Sequence, residues 1–98
     1  QPQPMNRLVL QAQIVERGAL RYTPAGIAAL DLLLAHQSEV SEDGQPRKVG
    51  FELNAVASGA ITQPLSALAL GAPHGFAGFL AAARNGRGIV FHVTALDA

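Results

Sequence analysis

The longest apolar stretch of the chain most constrains what it can fold into. It spans residues 20–38, LRYTPAGIAALDLLLAHQS, and begins with a strong turn signal. Its Thr-Pro pair suits the start of a helix, in which Ile27, Leu30 and Leu34 would share one face. The same residues are also compatible with a Thr-Pro-Ala-Gly turn followed by a long buried strand. The local pattern leaves both alternatives open, and the choice decides the fold.

The length of the chain, 98 residues, suits one domain, and a chain of this size buries roughly two-thirds of its unfolded surface. Many of its hydrophobic residues are alanines, so the core is modest and the chain would gain stability from burying more surface in an oligomer. Residues 1–4, QPQP, lack a core-forming side chain, and we expect them to be a flexible N-terminal lead or an expression remnant. Residues 5–98 are expected to form a single domain.

Composition and motifs argue against several classes of function. Seven Lys and Arg balance seven Asp and Glu, which disfavours an obvious polyanion binder. The chain has no cysteine, so thiolate metal sites and disulfides are excluded, which suits the cytoplasm. No apolar run approaches the about 18 residues of a membrane-spanning helix, so we expect a soluble protein. The histidines and serines follow no ligand or nucleophile spacing, and we expect no metal, no cofactor and no enzyme activity.

Outside the ambiguous stretch, alternation and turn signals predict strands and short connections. The predicted elements are a strand at residues 6–15, a polar loop at 41–46, the most regular strand at 47–58, a short helix within 60–70, an extended segment at 76–80, a hairpin turn at 84–88 and a last strand at 89–96. Pro64 is expected to interrupt the short helix, and Gly78 to permit a bend or a close backbone approach. Asn85-Gly86 predicts a type I′ turn.

The number of strands depends on the ambiguous stretch. If it is a strand, the chain has five strands with a helical connection between the third and the fourth, which is the plan of an oligonucleotide-binding (OB) barrel. If it is a helix, four strands need another α+β arrangement, in which the glycine of the curved strand has no explanation.

Short sequence motifs along almost the whole chain resemble those of one protein family. They are NRLVL at residues 6–10, LRYTPAGI at 20–27, His36 with Ser38, Ser58-Gly59, Gly78-Phe79 and RNG at 84–86. In this order they resemble the primosomal replication protein N (PriB) family, small relatives of the bacterial single-stranded DNA-binding proteins. The resemblance implies an all-β fold, a five-stranded OB barrel with at most a short helical turn between strands three and four. It also makes residues 27–40 the second strand.

The resemblance also implies a function. It implies a homodimer that binds single-stranded DNA and joins the helicase PriA and the loader protein DnaT in restarting stalled replication forks. Basic residues and one aromatic, carried over to this sequence, give the candidate DNA contacts: Arg21, Tyr22, Arg47, Lys48, Arg84 and Arg87. Tyr22 is the best candidate for base stacking, because it lies in a loop and its polar tip tolerates exposure.

One departure from the family supports a rival interpretation. Gly50 stands where some members carry an aromatic residue, and the neighbouring Phe51 is expected to point to the opposite, buried face. At least two of Phe76, Phe79 and Phe91 are expected in the core. With no net charge and no stacking residue at Gly50, the chain could be a protein-interaction module that has kept the OB fold and lost most of its affinity for nucleic acid.

Overall fold

The computed structural model describes residues 4–97, so most of the N-terminal lead lies outside the described residues. The elements are β1 (Leu8–Arg17), β2 (Arg21–Tyr22), β3 (Ala28–Glu42), β4 (Gln45–Ser58), α1 (Thr62–Ala67), β5 (Pro73–Ala82) and β6 (Ile89–Leu96), with a 3₁₀ turn at Gly59–Ile61 before α1. Within these residues no helix is long and apolar enough to cross a membrane.

Five long strands close into a barrel. The strand order is β1-β5-β6-β4-β3-β2, and β1 also pairs with β3, which joins the two ends of the sheet. A bulge between Ile14 and Glu16 accompanies this closure: the first part of β1 pairs with β5 and the last part with β3. Strands β4 and β6 run parallel, and the other pairs are antiparallel. The predicted OB barrel with a short helix between the third and fourth long strands is confirmed.

The ambiguous stretch is a strand. Leu30, Leu32 and Leu34 are buried in the core while Asp31 is exposed, which is the two-residue period of a strand. Gly26 donates its amide hydrogen to the carbonyl oxygen of Thr23 at 2.8 Å, so the Thr-Pro segment forms a turn before β3. The segment is a strand although its apolar spacing also suits a helix, because β3 pairs with β4 along nearly its whole length. That pairing buries the leucines inside the barrel.

The core lies inside the barrel, and α1 covers one part of it. Phe76, Phe91 and Leu65 are fully buried, which confirms that at least two of the three predicted phenylalanines belong to the core. The helix runs through Pro64 without the predicted interruption. Pro64 lies in the first turn, where backbone N–H groups have no partner inside the helix, so proline removes no hydrogen bond.

Both hairpin connections differ in detail from what their sequences predict. The predicted polar loop at residues 41–46 is mostly strand, with a two-residue turn at Asp43 and Gly44, both at positive φ. The predicted type I′ turn at Asn85-Gly86 is wrong, since positive φ is taken by Gly86 and Gly88 rather than by Asn85. The Asn85 side chain instead accepts a hydrogen bond from the Arg87 amide at 2.9 Å, which shapes a longer loop.

Strands β3 and β4 continue beyond the barrel as a two-stranded extension, here called the β3–β4 arm (residues 36–51). Pairing between β1 and β3 ends at Gln13 and Ala35, whereas pairing between β3 and β4 continues to the tip. Phe51 is 42% exposed, so the expectation that it is buried is wrong. It points to the same side of β4 as Leu53, but at the arm the barrel no longer covers that side.

Candidate nucleic-acid interface

A groove of about 490 Å³ lies on the outside of the barrel. Its floor includes Val56 and His92, which alternate along β4 and β6 with buried core residues and therefore point outward. Arg21 of β2 lines one part of it, and Arg84 and Arg87 of the β5–β6 loop line another. This outer groove thus brings together three of the six residues that the resemblance singles out.

Arg21 is held by a carboxylate inside the outer groove. Its Nε and Nη2 atoms each donate a hydrogen bond to one oxygen of Asp31, both at 3.1 Å. These hydrogen bonds and the negative charge of Asp31 raise the pKa of Arg21 above its ordinary value. Both side chains remain exposed, at 42% for Arg21 and 61% for Asp31, so the ion pair faces water.

Arg84 and Arg87 present two uncompensated cations. Both are exposed residues of the β5–β6 loop, and in the described part of the chain neither forms a salt bridge with a carboxylate. The loop is closed by a hydrogen bond from the Gly86 amide to the carbonyl of Ala83, at 2.9 Å. A short, internally bonded loop therefore carries two guanidinium groups beside the groove, where they are available to an anionic ligand.

The other three predicted residues lie elsewhere. Tyr22 is 67% exposed and follows Arg21 in β2, and because successive strand residues point to opposite faces it does not line the outer groove. Arg47 lies on the β3–β4 arm and donates a hydrogen bond to Glu42 at 2.9 Å. Lys48 lies on the same arm and lines a separate shallow depression beside Gly50.

A stacked aromatic pair lies next to the groove and was not predicted from the sequence. The rings of Phe79 and His92 lie 4.8 Å apart with planes 7° from parallel, and Phe79 is 39% exposed. His92 belongs to the outer groove and also, with Phe79 and Thr94, to an adjoining depression. The pairing of the two residues depends on the strand register after the irregularity between Ala77 and Gly78, and no local sequence signal gives that register.

The outer groove and the stacked pair together suit one kind of ligand. Guanidinium groups bind phosphate oxygens through paired hydrogen bonds, and exposed aromatic faces stack on planar bases. An extended chain with an anionic backbone and accessible bases can use both features. Among the described residues no group of three His, Asp or Glu side chains lies close enough to hold a metal ion.

Comparison with known proteins shows which family the chain belongs to. Residues 6–95 match the model of a family described as another single-strand binding protein family. The chain belongs to this family. It is 50% identical over 81 residues to the replication restart protein PriB of Bordetella pertussis, an alignment that covers 83% of this chain and 76% of that protein. The resemblance to PriB seen in the sequence is therefore confirmed.

Solved structures show the same fold. PriB from Ralstonia solanacearum superposes with a TM-score of 0.86 at 36% identity, covering 95% of this chain and 96% of that one. A single-stranded DNA binding protein from Thermus aquaticus superposes with a TM-score of 0.73 at 27% identity, covering 95% of this chain and 49% of that one. The barrel is thus shared with PriB and with a larger single-stranded DNA binding protein.

Proposed function

We propose that this protein is a cytoplasmic, non-catalytic accessory protein of replication restart that binds single-stranded DNA in the outer groove. The observation that carries the proposal is the convergence of Arg21, Arg84 and Arg87 on one groove beside the stacked pair of Phe79 and His92. The family and the PriB relatives support the same function.

The geometry supports binding without strong sequence preference. Phosphates of an extended strand would contact Arg84 and Arg87, while a base stacks on the Phe79–His92 pair. Stacking on an aromatic ring contributes about 1–3 kcal/mol per base and tolerates every base, because each base has a π face. A duplex hides these faces inside its helix, so the same groove would favour a single strand.

Titration of a fluorescent oligonucleotide, followed by anisotropy at several salt concentrations, tests the proposal. Affinity is expected to fall with salt by about 0.7 log units per log unit of salt for each phosphate contact. Binding to a single strand should be tighter than binding to a duplex of the same length. Equal affinity for the two forms would contradict the proposal.

Phe79→Leu tests the stacking half of the proposal. Loss of one stacked base is expected to weaken oligonucleotide binding by about 5- to 150-fold, which corresponds to about 1–3 kcal/mol. Phe51→Leu is the matched control, because Phe51 is almost equally exposed, at 42% against 39%, but lies on the β3–β4 arm. If the two variants bind equally well in the anisotropy titration, the Phe79–His92 pair is not a stacking site.

Docking of partner proteins is the second part of the proposal. By resemblance, the helicase PriA and the loader DnaT are the partners, and the exposed apolar side chains of Val40 and Phe51 on the β3–β4 arm offer a surface away from the outer groove. This arm, together with the zero net charge, also favours the rival function, a protein-interaction module with little affinity for DNA. Charge reversal at Arg84 and Arg87 of the groove separates the two functions.

A homodimer is the third part of the proposal. The first part of β1 pairs with β5 on one side, and in the described structure its other side has no strand partner before Gln13. Val9 in this segment is 53% exposed, and an unpaired strand edge is a template for pairing with another chain. Light scattering after size exclusion measures the mass at micromolar concentration, and a monomer there would contradict the dimer.

A further inference from the structure

The carboxylate of Asp31 occupies the position on Arg21 that a phosphate would take. The Nε and Nη2 atoms of Arg21 each donate to a different oxygen of Asp31 at 3.1 Å. Guanidinium groups use the same two-point geometry to bind phosphate. Arg21 therefore cannot bind a phosphate with these two donors while the ion pair with Asp31 is closed.

We propose that Asp31 competes with DNA phosphates for Arg21 and thereby limits the affinity of the outer groove for single-stranded DNA. This inference rests on the proposed function. Among the described residues that line the groove, Asp31 is the sole carboxylate, and it shares this lining with the cations Arg21, Arg84 and Arg87. It reduces the positive charge of the groove by one and also engages one of its three guanidinium groups.

The ion pair is suited to opening and closing. Both partners are substantially exposed, and exposed ion pairs contribute little to stability, so an incoming phosphate can replace the carboxylate. Backbone contacts hold the surrounding chain independently of the pair: Arg21 is in register with Ala29 of β3, and the Gly18 amide donates to the Asp31 carbonyl at 2.9 Å. Opening the pair therefore frees Arg21 without detaching β2.

Asp31→Asn tests the competition, since the amide keeps the size of the side chain and removes its charge. We expect the variant to bind a single-stranded oligonucleotide about three- to tenfold more tightly at 50 mM salt, because the freed Arg21 gains one ion pair with a phosphate, which is worth about 1 kcal/mol in water. Its log-log salt slope should steepen by about 0.7, the value for one added phosphate contact. A structural role alone would not change this slope. Thermal unfolding checks that the variant is folded, and Asp31→Ser is the second variant that removes the charge.

Two controls assign the effect to Arg21 within the outer groove. In an Arg21→Gln background, Asp31→Asn should improve binding less than twofold, because the residue that it frees is absent. Glu42→Gln removes the same charge from another exposed ion pair, with Arg47 on the β3–β4 arm, and should leave the affinity unchanged.

The outcomes separate this inference from the proposed function. An affinity for Asp31→Asn equal to or below that of the unchanged protein would overturn the competition. An equal gain in the Arg21→Gln background, or an equal gain from Glu42→Gln, would also overturn it, because the effect would then not depend on Arg21 in the outer groove. If the unchanged protein itself fails to bind single strands, the proposed function fails and this inference falls with it.

Discussion

Gly78→Ala is expected to destabilise the barrel by about 3 kcal/mol or more, the upper end of the range for overpacking a well-packed site. For a domain of this size that corresponds to a fall in Tm of roughly 12–24 °C. A Cβ atom at Gly78 would lie 1.8 Å from the carbonyl oxygen of His92 and 2.8 Å from its carbonyl carbon. Both atoms belong to the backbone of β6, so relief of the clash requires movement of a strand. Thermal unfolding followed by circular dichroism measures the effect.

Gly50→Ala is the matched control for this prediction. Gly50 also lies within a strand, but its nearest neighbours to an added Cβ are at 3.8 Å, an ordinary contact. Alanine at such a compatible position reduces the entropy of the unfolded chain, so Tm should stay unchanged or rise slightly. Equal losses of Tm in the two variants would show that the close approach of β5 to β6 is not what Gly78 provides.

The position of Gly78 also connects the fold to the candidate site. The register irregularity between Ala77 and Gly78 sets which residues of β5 lie opposite β6, and it places Phe79 opposite His92. Partial unfolding that begins at Gly78 would therefore separate the rings of Phe79 and His92 before the unfolding reached the far side of the barrel. A variant that remains folded but has lost the close approach should bind oligonucleotide as weakly as Phe79→Leu.

Much of the fold could be predicted from the sequence, because alternation and turn residues are local signals. The strand at residues 47–58 and the close approach at Gly78 follow from such signals, and so does the expectation that at least two of Phe76, Phe79 and Phe91 lie in the core, although not which two. The second long strand could not be assigned locally, since the spacing of Ile27, Leu30 and Leu34 suits a helix as well. The family resemblance correctly predicted a strand for this segment. Local signals could not, because the segment becomes a strand by pairing with another part of the chain.

The candidate site was harder to predict, because its geometry depends on contacts between strands. Arg21, Arg84 and Arg87 were identified by resemblance, and the structure places them on one groove. The partner of Arg21 was missed, since nothing local indicates that Asp31, ten residues later, points at it from β3. Phe51 was expected in the core because alternation cannot show where the barrel ends and the β3–β4 arm begins.

Reversing both charges of the β5–β6 loop, as Arg84→Glu with Arg87→Glu, is expected to weaken single-strand binding on the order of 1,000-fold at low salt. Each reversal replaces an attraction of about 1 kcal/mol in water by a repulsion of similar size. The log-log salt slope should also fall by about 1.4, because two phosphate contacts are lost. Stability should change little, since neither side chain has a carboxylate partner among the described residues.

Arg47→Glu with Lys48→Glu is the matched variant on the β3–β4 arm, with the same change in total charge. Both residues were candidates by resemblance, so the comparison decides between two sites on one molecule. If the strand lies in the outer groove, the arm variant should lose much less affinity than the loop variant. If the arm variant loses as much or more, the arm holds the strand, and the convergence of arginines on the groove has another role.

The loop variant also separates the proposed function from its rival when binding to PriA is measured on the same preparation. A DNA-binding protein that docks its partner through another face should lose the oligonucleotide and keep PriA. A protein-interaction module with little affinity for DNA should bind the oligonucleotide weakly even before the change. After the change it should lose PriA if the outer groove is its docking surface, and keep PriA if the β3–β4 arm is. The distinction rests on Arg84 and Arg87, because uncompensated cations in a groove attract either a phosphate backbone or an acidic protein surface. Measuring both ligands identifies which of these the groove binds.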